Sequence, residues 1–255
     1  MIQDDQISIR RILTVVDATD RGRSALSLAL ELTAGSEAEL QGLFVEDLNL
    51  LRLAGLPVAW EITVSSAIRR RLELERLERA LREQAAQVQK DLAQYAGRAG
   101  VTWSFRVVRG HLSQELSTLV GGFDLCIVGR ESSLVVQRLS RRETLPGRTV
   151  VALLANTPTS KRILQVTARL ARSQGRRLLV LFAGGKASPE LEHRHSEPNM
   201  AEWINWPAGS TRDLRQILTG RQPVALAIDA DHPLLESDGL DALLEDLNCP
   251  LLLVR

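Results

Sequence analysis

The residues best suited to bind a ligand stand where apolar runs of the sequence end. Asp17 follows the run 12–16, Val45 closes a second run, and Gly129 and Arg130 follow a third. Continuous apolar runs of this kind predict strands buried in a parallel sheet, and such sheets bind ligands beyond the carboxyl ends of their strands. A carboxylate there can accept hydrogen bonds from a base or a ribose, and glycine N–H groups can surround a phosphate.

Gly110 marks a second place where an anion could bind. It precedes His111 and a predicted helix over 112–120, whose first N–H groups would carry partial positive charge. Arg109 and Arg130 are expected at the same edge of the sheet and would add full positive charge. Ordinary capping explains the same residues without any ligand, as it does the aspartate and the glycine at the strand ends.

No metal site and no catalytic set is predicted. His193 and His195 lie one residue apart in a polar loop, and His232 stands beside two aspartates in what we predict to be a solvated turn. Histidines in loops are common and do not by themselves indicate a metal ligand. The sequence has no Gly-x-Ser-x-Gly elbow, no Gly-x-x-x-x-Gly-Lys-Ser/Thr loop and no Cys-x-x-Cys pair. We therefore predict that the protein is not an enzyme.

The elements that must hold these residues form one α/β pattern that occurs twice. The segment ending in Asp17 aligns with the segment ending in Ala155 at an offset of 138, and residues 123–127 align with 224–228 at an offset of 101. Because alanine replaces the first-strand aspartate, we expect the second copy to have lost the polar residues at its strand ends.

Strands and helices are predicted to alternate through both copies. The predicted strands are 9–16, 39–45, 102–108, 124–128, 150–154, 177–182, 202–206, 224–228 and 251–254. The predicted helices are 24–33, 65–98, 112–120, 160–172, 211–218 and 235–247, with irregular stretches at 46–63 and 184–199. This alternation indicates an α/β protein with a doubly wound, mostly parallel sheet in each copy.

The longest predicted helix, from about residue 65 to residue 98, has no equivalent in the second copy. Its apolar stripe recurs every three or four residues and comprises Leu74, Leu77, Leu81, Ala85, Val88, Leu92 and Tyr95. We expect the stripe to cover the protein's own sheet; the alternative is that it pairs with a partner or a second chain. The apolar connection 48–60 before it either packs down or forms an interface.

We predict two repeats, residues 1–147 and the compressed residues 148–255. The run 150–154 fits as the first strand of the second repeat, and it also fits as the last strand of the first. We assign it to the second repeat, which leaves the first without a final strand of its own.

Composition and charge limit the classes of partner. The chain has 255 residues, 44% of them hydrophobic, and a formal net charge of +1, so neither nucleic acid nor a membrane is an expected partner. Its two cysteines, Cys126 and Cys249, lie in or beside apolar runs and are expected to be buried and reduced. The start of the chain lacks the pattern of a signal peptide, so we expect a cytoplasmic protein.

Five segments follow the order and spacing of a known family. They are Ile-Leu-Thr-Val-Val-Asp at 12–17, Arg-Ser-Ala-Leu-Ser-Leu-Ala at 23–29, Leu-Phe-Val at 43–45, Asp-Leu-Cys-Ile-Val-Gly-Arg at 124–130 and Asn-Cys-Pro-Leu-Leu-Leu-Val-Arg at 248–255. The chain resembles the universal stress protein family as a tandem pair over nearly its whole length. The resemblance implies a five-stranded parallel sheet in each repeat, pairing between repeats or chains, and either ATP or AMP binding or no nucleotide at all.

The resemblance also implies where a nucleotide would bind. Members of the family that bind ATP carry a glycine, a second glycine three residues later, and a final Gly-Ser or Gly-Thr pair after nine more residues. Here Gly129 is present, but Ser132 takes the second position and Arg142-Glu143 the final pair. Two of the three glycines are replaced, and a carboxylate stands where phosphate needs donors.

We therefore predict a non-enzymatic, universal-stress-like binding module of stress response or regulation that holds no cofactor through the glycine loop. Two alternatives stay open. The first repeat could bind ATP or AMP through Asp17, Val45, Gly110, Gly129 and Arg130, or the protein could be a structural adaptor that dimerises through the long helix. Self-association between repeats or chains is expected in each case.

Overall fold

A computed structural model describes residues 9–34, 36–56, 59–62, 69–129, 149–183, 201–206, 211–218, 220–236 and 239–255. The elements of the first half are β1 (Arg11–Val16), α1 (Asp20–Thr33), β2 (Glu39–Asp47), α2 (Leu48–Ala54), β3 (Trp60–Ile62), β4 (Arg69–Arg71), α3 (Leu74–Ala99), β5 (Trp103–Gly110), α4 (Leu112–Leu119) and β6 (Leu125–Gly129). Those of the second are β7 (Thr149–Leu154), α5 (Ser160–Ser173), β8 (Arg177–Ala183), β9 (Ala201–Trp206), α6 (Thr211–Leu218), β10 (Pro223–Asp229), α7 (Gly239–Asp246) and β11 (Leu251–Val254).

Nine strands form one sheet in the order β5-β2-β1-β6-β11-β10-β7-β8-β9. All neighbouring pairs are parallel except β6 and β11, which pair antiparallel where the two halves meet. In each half the chain winds away from a central strand in both directions, from β1 to β2 and β6 and from β7 to β8 and β10. The predicted α/β fold with doubly wound parallel strands is confirmed.

The pairing of β7 bears on the ambiguous run 150–154. β7 pairs with β8 on one side and with β10 on the other, so it is the central strand of the second half. The strand that follows β6 in the sheet is β11, from the far end of the chain. The boundary between residues 147 and 148 stays a prediction.

Helices cover both faces of the sheet, because successive side chains of each buried strand point to opposite faces. On β1, Ile12 packs into the layer shared with α1, α3 and α5, whereas Leu13 packs into the layer shared with α4, α6 and α7. Neither side chain is accessible to solvent. This double burial explains why the strands read as unbroken apolar runs. No helix among the described residues has the length and apolar character to span a membrane.

The predicted start of the long helix is wrong. Helix α3 begins at Leu74, because the chain just before it is extended as the short ribbon of β3 and β4, and the backbone N–H of Leu72 donates to the carbonyl of Ala59 at 3.0 Å. Residues 63–68 lie outside the described part of the chain. The end of the helix is as predicted, since Gly100 takes the left-handed conformation (φ 64°) that stops helices.

The stripe of α3 is core of the protein's own sheet, as expected. Leu81, Ala85, Val88 and Leu92 are buried, and Ala96 continues their face, whereas Tyr95 turns outward. A Cβ atom on Gly42 of β2 would lie 2.6 Å from a methyl carbon of Leu92, so the end of this side chain occupies the space that the glycine leaves open. The middle of the stripe is therefore covered within the chain, whereas Leu74 (40%) and Tyr95 (44%) are exposed, and dimerisation through the long helix stays an alternative.

The apolar connection 48–60 is more ordered than predicted. Residues 48–54 form helix α2, and the carboxylate of Asp47 caps it by accepting from the N–H of Asn49 at 2.8 Å. Leu51, Ala54 and Ala59 of this connection are buried, so part of it packs down.

Candidate functional site

The carboxyl ends of β1, β2, β5 and β6 lie at one edge of the sheet because these strands are parallel. Val16 is level with Gly129 across the β1–β6 pair, so Asp17 and Gly129 are neighbours at the predicted site. Gly110 ends the outermost strand, β5, beyond β2. Val45 is buried in the core with its side chain turned away from solvent. Arg130, Ser132 and the pair Arg142-Glu143 lie outside the described residues.

Asp17 organises the turn that begins α1. Its Oδ1 accepts hydrogen bonds from the backbone N–H of Thr19 at 3.1 Å and from the Thr19 hydroxyl. The same hydroxyl oxygen accepts from the N–H of Gly22 at 3.3 Å and so caps the helix. Asp17 therefore has the capping role that the sequence analysis gave as the alternative to ligand binding. Its side chain remains partly exposed at the edge of the sheet.

Gly129 lets the end of β6 approach α1. A Cβ atom there would lie 2.2 Å from the Cβ of Ala25 and 2.6 Å from the carbonyl oxygen of Arg21. No real side chain fits at such distances, so the packing of the free protein already requires a glycine at this position.

The start of α4 holds a carboxylate rather than an open anion site. A Cβ atom on Gly110 would lie 2.5 Å from Oε1 of Glu115, so this side chain lies against the glycine. Glu115 stands in the first turn of α4, where the partial positive charge of the helix stabilises it. A phosphate at this place would have to approach that negative charge.

Arg109 is bound by two carboxylates. Its Nε donates to Oε2 of Glu46 at 3.0 Å, and its Nη2 lies 2.9 Å from the same oxygen and 3.3 Å from Oε1 of Glu78. The hydrogen bond and the charge of Glu46, with a smaller contribution from Glu78, raise the pKa of Arg109. Glu46 is 8% exposed, and this trio carries a net negative charge. Arg109 was predicted from the sequence but its two carboxylate partners were not, because the register that sets Glu46 opposite Arg109 is not visible in the sequence.

The expectation that the second half has lost its polar strand ends is wrong. Asp229, at the end of β10, is 6% exposed. Its Oδ2 accepts from the hydroxyl of Thr157 at 2.8 Å, and its Oδ1 accepts from the backbone N–H of Asp231 at 3.0 Å. His232 is 9% exposed, so it is not part of a solvated turn. Its Nδ1 accepts from the backbone N–H of Leu234 at 3.1 Å.

In each half a threonine after the central strand is hydrogen-bonded to an aspartate, but the two aspartates follow different strands. Thr157 aligns with Thr19 at the offset of 138 that relates the first strands. The last pair of the β7–β10 register is Ala152 with Ala227, and two residues further along Asp229 faces Leu154. In the first half, Gly129 faces the equivalent residue, Val16. The aspartate on the first strand is thus replaced by one on the neighbouring strand, a change that alignment of single segments does not reveal.

The unfolding free energy is expected to decrease as the pH is lowered, because of His232. Burial lowers its pKa, and the charge of Asp229 partly opposes that shift. The unfolded chain, in which the pKa of histidine is about 6.5, therefore binds the proton more readily. This contribution to the unfolding free energy is complete above about pH 6.5 and is lost as the pH falls further. Urea unfolding of the wild type and of His232→Asn, followed from about pH 7.5 to about pH 5.5, measures the difference.

The asparagine keeps an oxygen acceptor for Leu234 but cannot titrate, so the variant should lose stability less steeply in acid. His111→Gln is the matched control, because the His111 side chain makes no capping hydrogen bond. Equal slopes for the wild type and His232→Asn would contradict the assignment.

Both cysteines are buried and free, as predicted. Burial raises the pKa of Cys126 and of Cys249 to about 12, so neither thiol ionises near neutral pH. Within the described ranges, no group of three or more histidine, cysteine, aspartate or glutamate side chains could hold a metal ion. His193 and His195 lie outside those ranges.

Solved structures show which known fold this chain adopts. No protein-family model and no curated protein sequence matches it. A universal stress protein from Archaeoglobus fulgidus is similar over 96% of both chains, with a TM-score of 0.52 and 11% identity. A universal stress protein from Pseudomonas aeruginosa covers 97% of this chain and 93% of its own, with a TM-score of 0.48 and 14% identity. The chain therefore has the fold of universal stress proteins, and the predicted resemblance in fold is confirmed.

Proposed function

We propose that this protein is a non-enzymatic binding module of universal-stress-protein type that acts in stress response or regulation and does not hold ATP through a glycine loop. The observation that supports this most is the charge at the strand ends of the first half. Arg109 is neutralised by Glu46 and Glu78, and Glu115 lies against Gly110.

Electrostatics argues against a polyphosphate at this edge. Two unit charges about 4 Å apart repel by about 1 kcal/mol in bulk water and by more where protein replaces water. A triphosphate near Gly110 would meet the Glu115 carboxylate, while the guanidinium of Arg109 already serves two carboxylates. At 132 and 142 the sequence has Ser and Arg in place of glycine, and their side chains hinder the close approach of the backbone to a phosphate.

We propose that the protein has no enzymatic activity because the side chains that could act as a general base are already hydrogen-bonded. In the part of the chain that the structure describes, the Asp229 carboxylate is bound by Thr157 and Asp231, and Nδ1 of His232 is bound by a backbone N–H. A general base needs a free position within reach of a nucleophile. We further propose that the protein is cytoplasmic and associates with itself.

A second candidate function is adenine-nucleotide binding by the first half. Asp17 favours it, because this carboxylate is partly exposed beside Gly129 at the point where the strand order reverses. Oδ1 of Asp17 serves Thr19, and the carboxylate could still accept from a ribose or a base.

Thermal unfolding with ATP, AMP or cyclic AMP separates the two candidates. We expect no saturable rise in melting temperature. Binding would be visible, because a ligand at one hundred times its dissociation constant stabilises the native state by about 2.7 kcal/mol. A saturable rise that Asp17→Ala abolishes would overturn the leading proposal. Asp20→Ala is the matched control. It removes a carboxylate from the start of the same helix, and the side chain of Asp20 is 82% exposed.

A further inference from the structure

The chain makes a tight turn where it leaves β10 and approaches α7. The backbone N–H of His232 donates to the carbonyl of Asp229 at 3.0 Å, and the N–H of Leu235 donates to the carbonyl of His232 at 2.9 Å. Residues Pro233–Leu235 form a single 3₁₀ turn that begins after His232. We call residues 229–236 the histidine turn, because this histidine takes part in each of its first two backbone bonds.

The side chain of His232 holds the histidine turn as well. Its Nδ1 accepts from the backbone N–H of Leu234 at 3.1 Å. A ring nitrogen that accepts a hydrogen bond carries no proton, so in the neutral imidazole the proton lies on Nε2. The imidazolium carries an N–H at both nitrogens and cannot accept from Leu234. Protonation of His232 and the bond from Leu234 therefore exclude each other.

Leu234 is also the point at which the histidine turn meets α7. A Cβ atom on Gly239, the first residue of α7, would lie 2.2 Å from the carbonyl oxygen of Leu234. The N–H of Gly239 donates to the carbonyl of Glu236 at 3.0 Å, and the partly buried side chain of Leu234 packs against the core layer that contains α7. The position of Leu234 is thus set from two sides, by the imidazole and by the helix.

Carboxylates predominate around the histidine turn. Asp229 is the charged side chain among the described residues that acts on the imidazole. The other charged residues of the turn and of α7, the helix packed against it, are Asp231, Glu236, Asp241, Glu245 and Asp246. The first four of these are exposed, and Asp246 pairs with Arg215 at 2.9 Å. From the first half, Nη1 of Arg21 donates to the carbonyl of Leu244 in α7.

The open form of the histidine turn is expected to bind a proton more readily than the closed form. Burial lowers the pKa of His232 in the closed turn, where the residue is 9% exposed, and the charge of Asp229 only partly opposes this. In an open turn the imidazole is in water and its pKa is about 6.5. The share of the open form therefore rises as the pH falls below about 6.5 and is smallest above that value.

We propose that the histidine turn is a proton-operated switch of the folded protein: a proton from solvent binds Nδ1 of His232, the bond from Leu234 breaks, and the turn detaches from the start of α7 while the main sheet stays folded. A short 3₁₀ turn at the end of a strand can open at a lower free energy than the strands of the core. The switch concerns the folded state and does not depend on the proposed binding function.

Nitrogen NMR of the full chain tests the first step of the switch. At about pH 7.5 the ring of His232 should carry its proton on Nε2, and it should titrate at a lower pH than the partly exposed His111. The spectrum of His232→Asn identifies the signals. A proton on Nδ1 at this pH, or titration at or above the value of His111, would overturn the proposal.

Amide hydrogen exchange tests the second step. The protection factor of the Leu234 N–H, which corrects for the intrinsic effect of pH, should fall at least about fivefold from about pH 7 to about pH 5. It should stay below the protection of the β6 amides throughout, and circular dichroism should remain native.

His232→Asn is the matched control for the exchange experiment, because its side-chain oxygen can accept from Leu234 but does not titrate. The variant should keep its protection at Leu234 over the same range of pH. An equal fall in the wild type and the variant would show that His232 does not operate the turn. Exchange of Leu234 only together with the β6 amides would show that the turn does not open by itself. Either result would overturn the proposal.

Discussion

Gly129→Ala is expected to lower the unfolding free energy by about 3 kcal/mol, the upper end for an overpacked core. The added methyl group would lie 2.2 Å from the Cβ of Ala25 and 2.6 Å from the backbone oxygen of Arg21. Backbone cannot yield as the end of a flexible side chain can, so β6 and α1 must move apart. Urea unfolding of the protein without any ligand measures the loss.

Gly97→Ala is the matched control for this substitution. A Cβ atom on Gly97 would have nothing within 4 Å, and the residue lies inside α3, so alanine should stabilise the helix by up to about 1 kcal/mol. If Gly129→Ala instead left the ligand-free protein as stable as the wild type, the glycine would not be required for packing. A role in admitting a phosphate would then regain support.

Val88→Asp is expected to abolish cooperative folding or to cost at least about 4 kcal/mol, because it places a carboxylate among apolar side chains without a partner. Val88 is 4% exposed and packs in the core layer with Leu92. The loss of the melting transition in circular dichroism would show the effect at any protein concentration.

Tyr95→Asp on the same helix is the comparison for Val88→Asp. Because Tyr95 is 44% exposed, its replacement should change stability by no more than about 0.5 kcal/mol. A folded Val88→Asp protein that had merely become monomeric would contradict the structure and restore the stripe as a dimer interface.

Much of the fold follows from periodicity and apolar runs alone. Each of the nine strands of the main sheet was predicted within two residues of its observed start and end. The central strands gave the strongest signal, because burial on both faces leaves an unbroken apolar run. The start of α3 was missed, because the arginines and leucines at 69–74 suit a helix as well as they suit a ribbon. A hydrogen bond from Leu72 to Ala59 decides between the two.

The candidate site divides in the same way. Parallel strands alone predicted that Asp17 and Gly129 would meet, and the structure brings them to the same edge. The carboxylates that neutralise Arg109 come from β2 and α3, 63 and 31 residues away along the chain. Asp229 reaches Thr157 across 72 residues. Such pairs depend on strand order and register, which local sequence patterns do not contain.

Local chemistry was therefore enough to define the nine strands of the main sheet and the repeated α/β pattern, and to show that positions 132 and 142, where the resemblance implies glycines, carry Ser and Arg. Burial and pairing arose from packing: which face of α3 is covered, why Gly129 cannot carry a side chain, and where Arg109 and Asp229 find their partners. The physical reason is distance along the chain. Apolar periodicity is a pattern within one helical turn or one strand, whereas the partner of a charge and the neighbour that fills a space come from distant residues that the fold brings close.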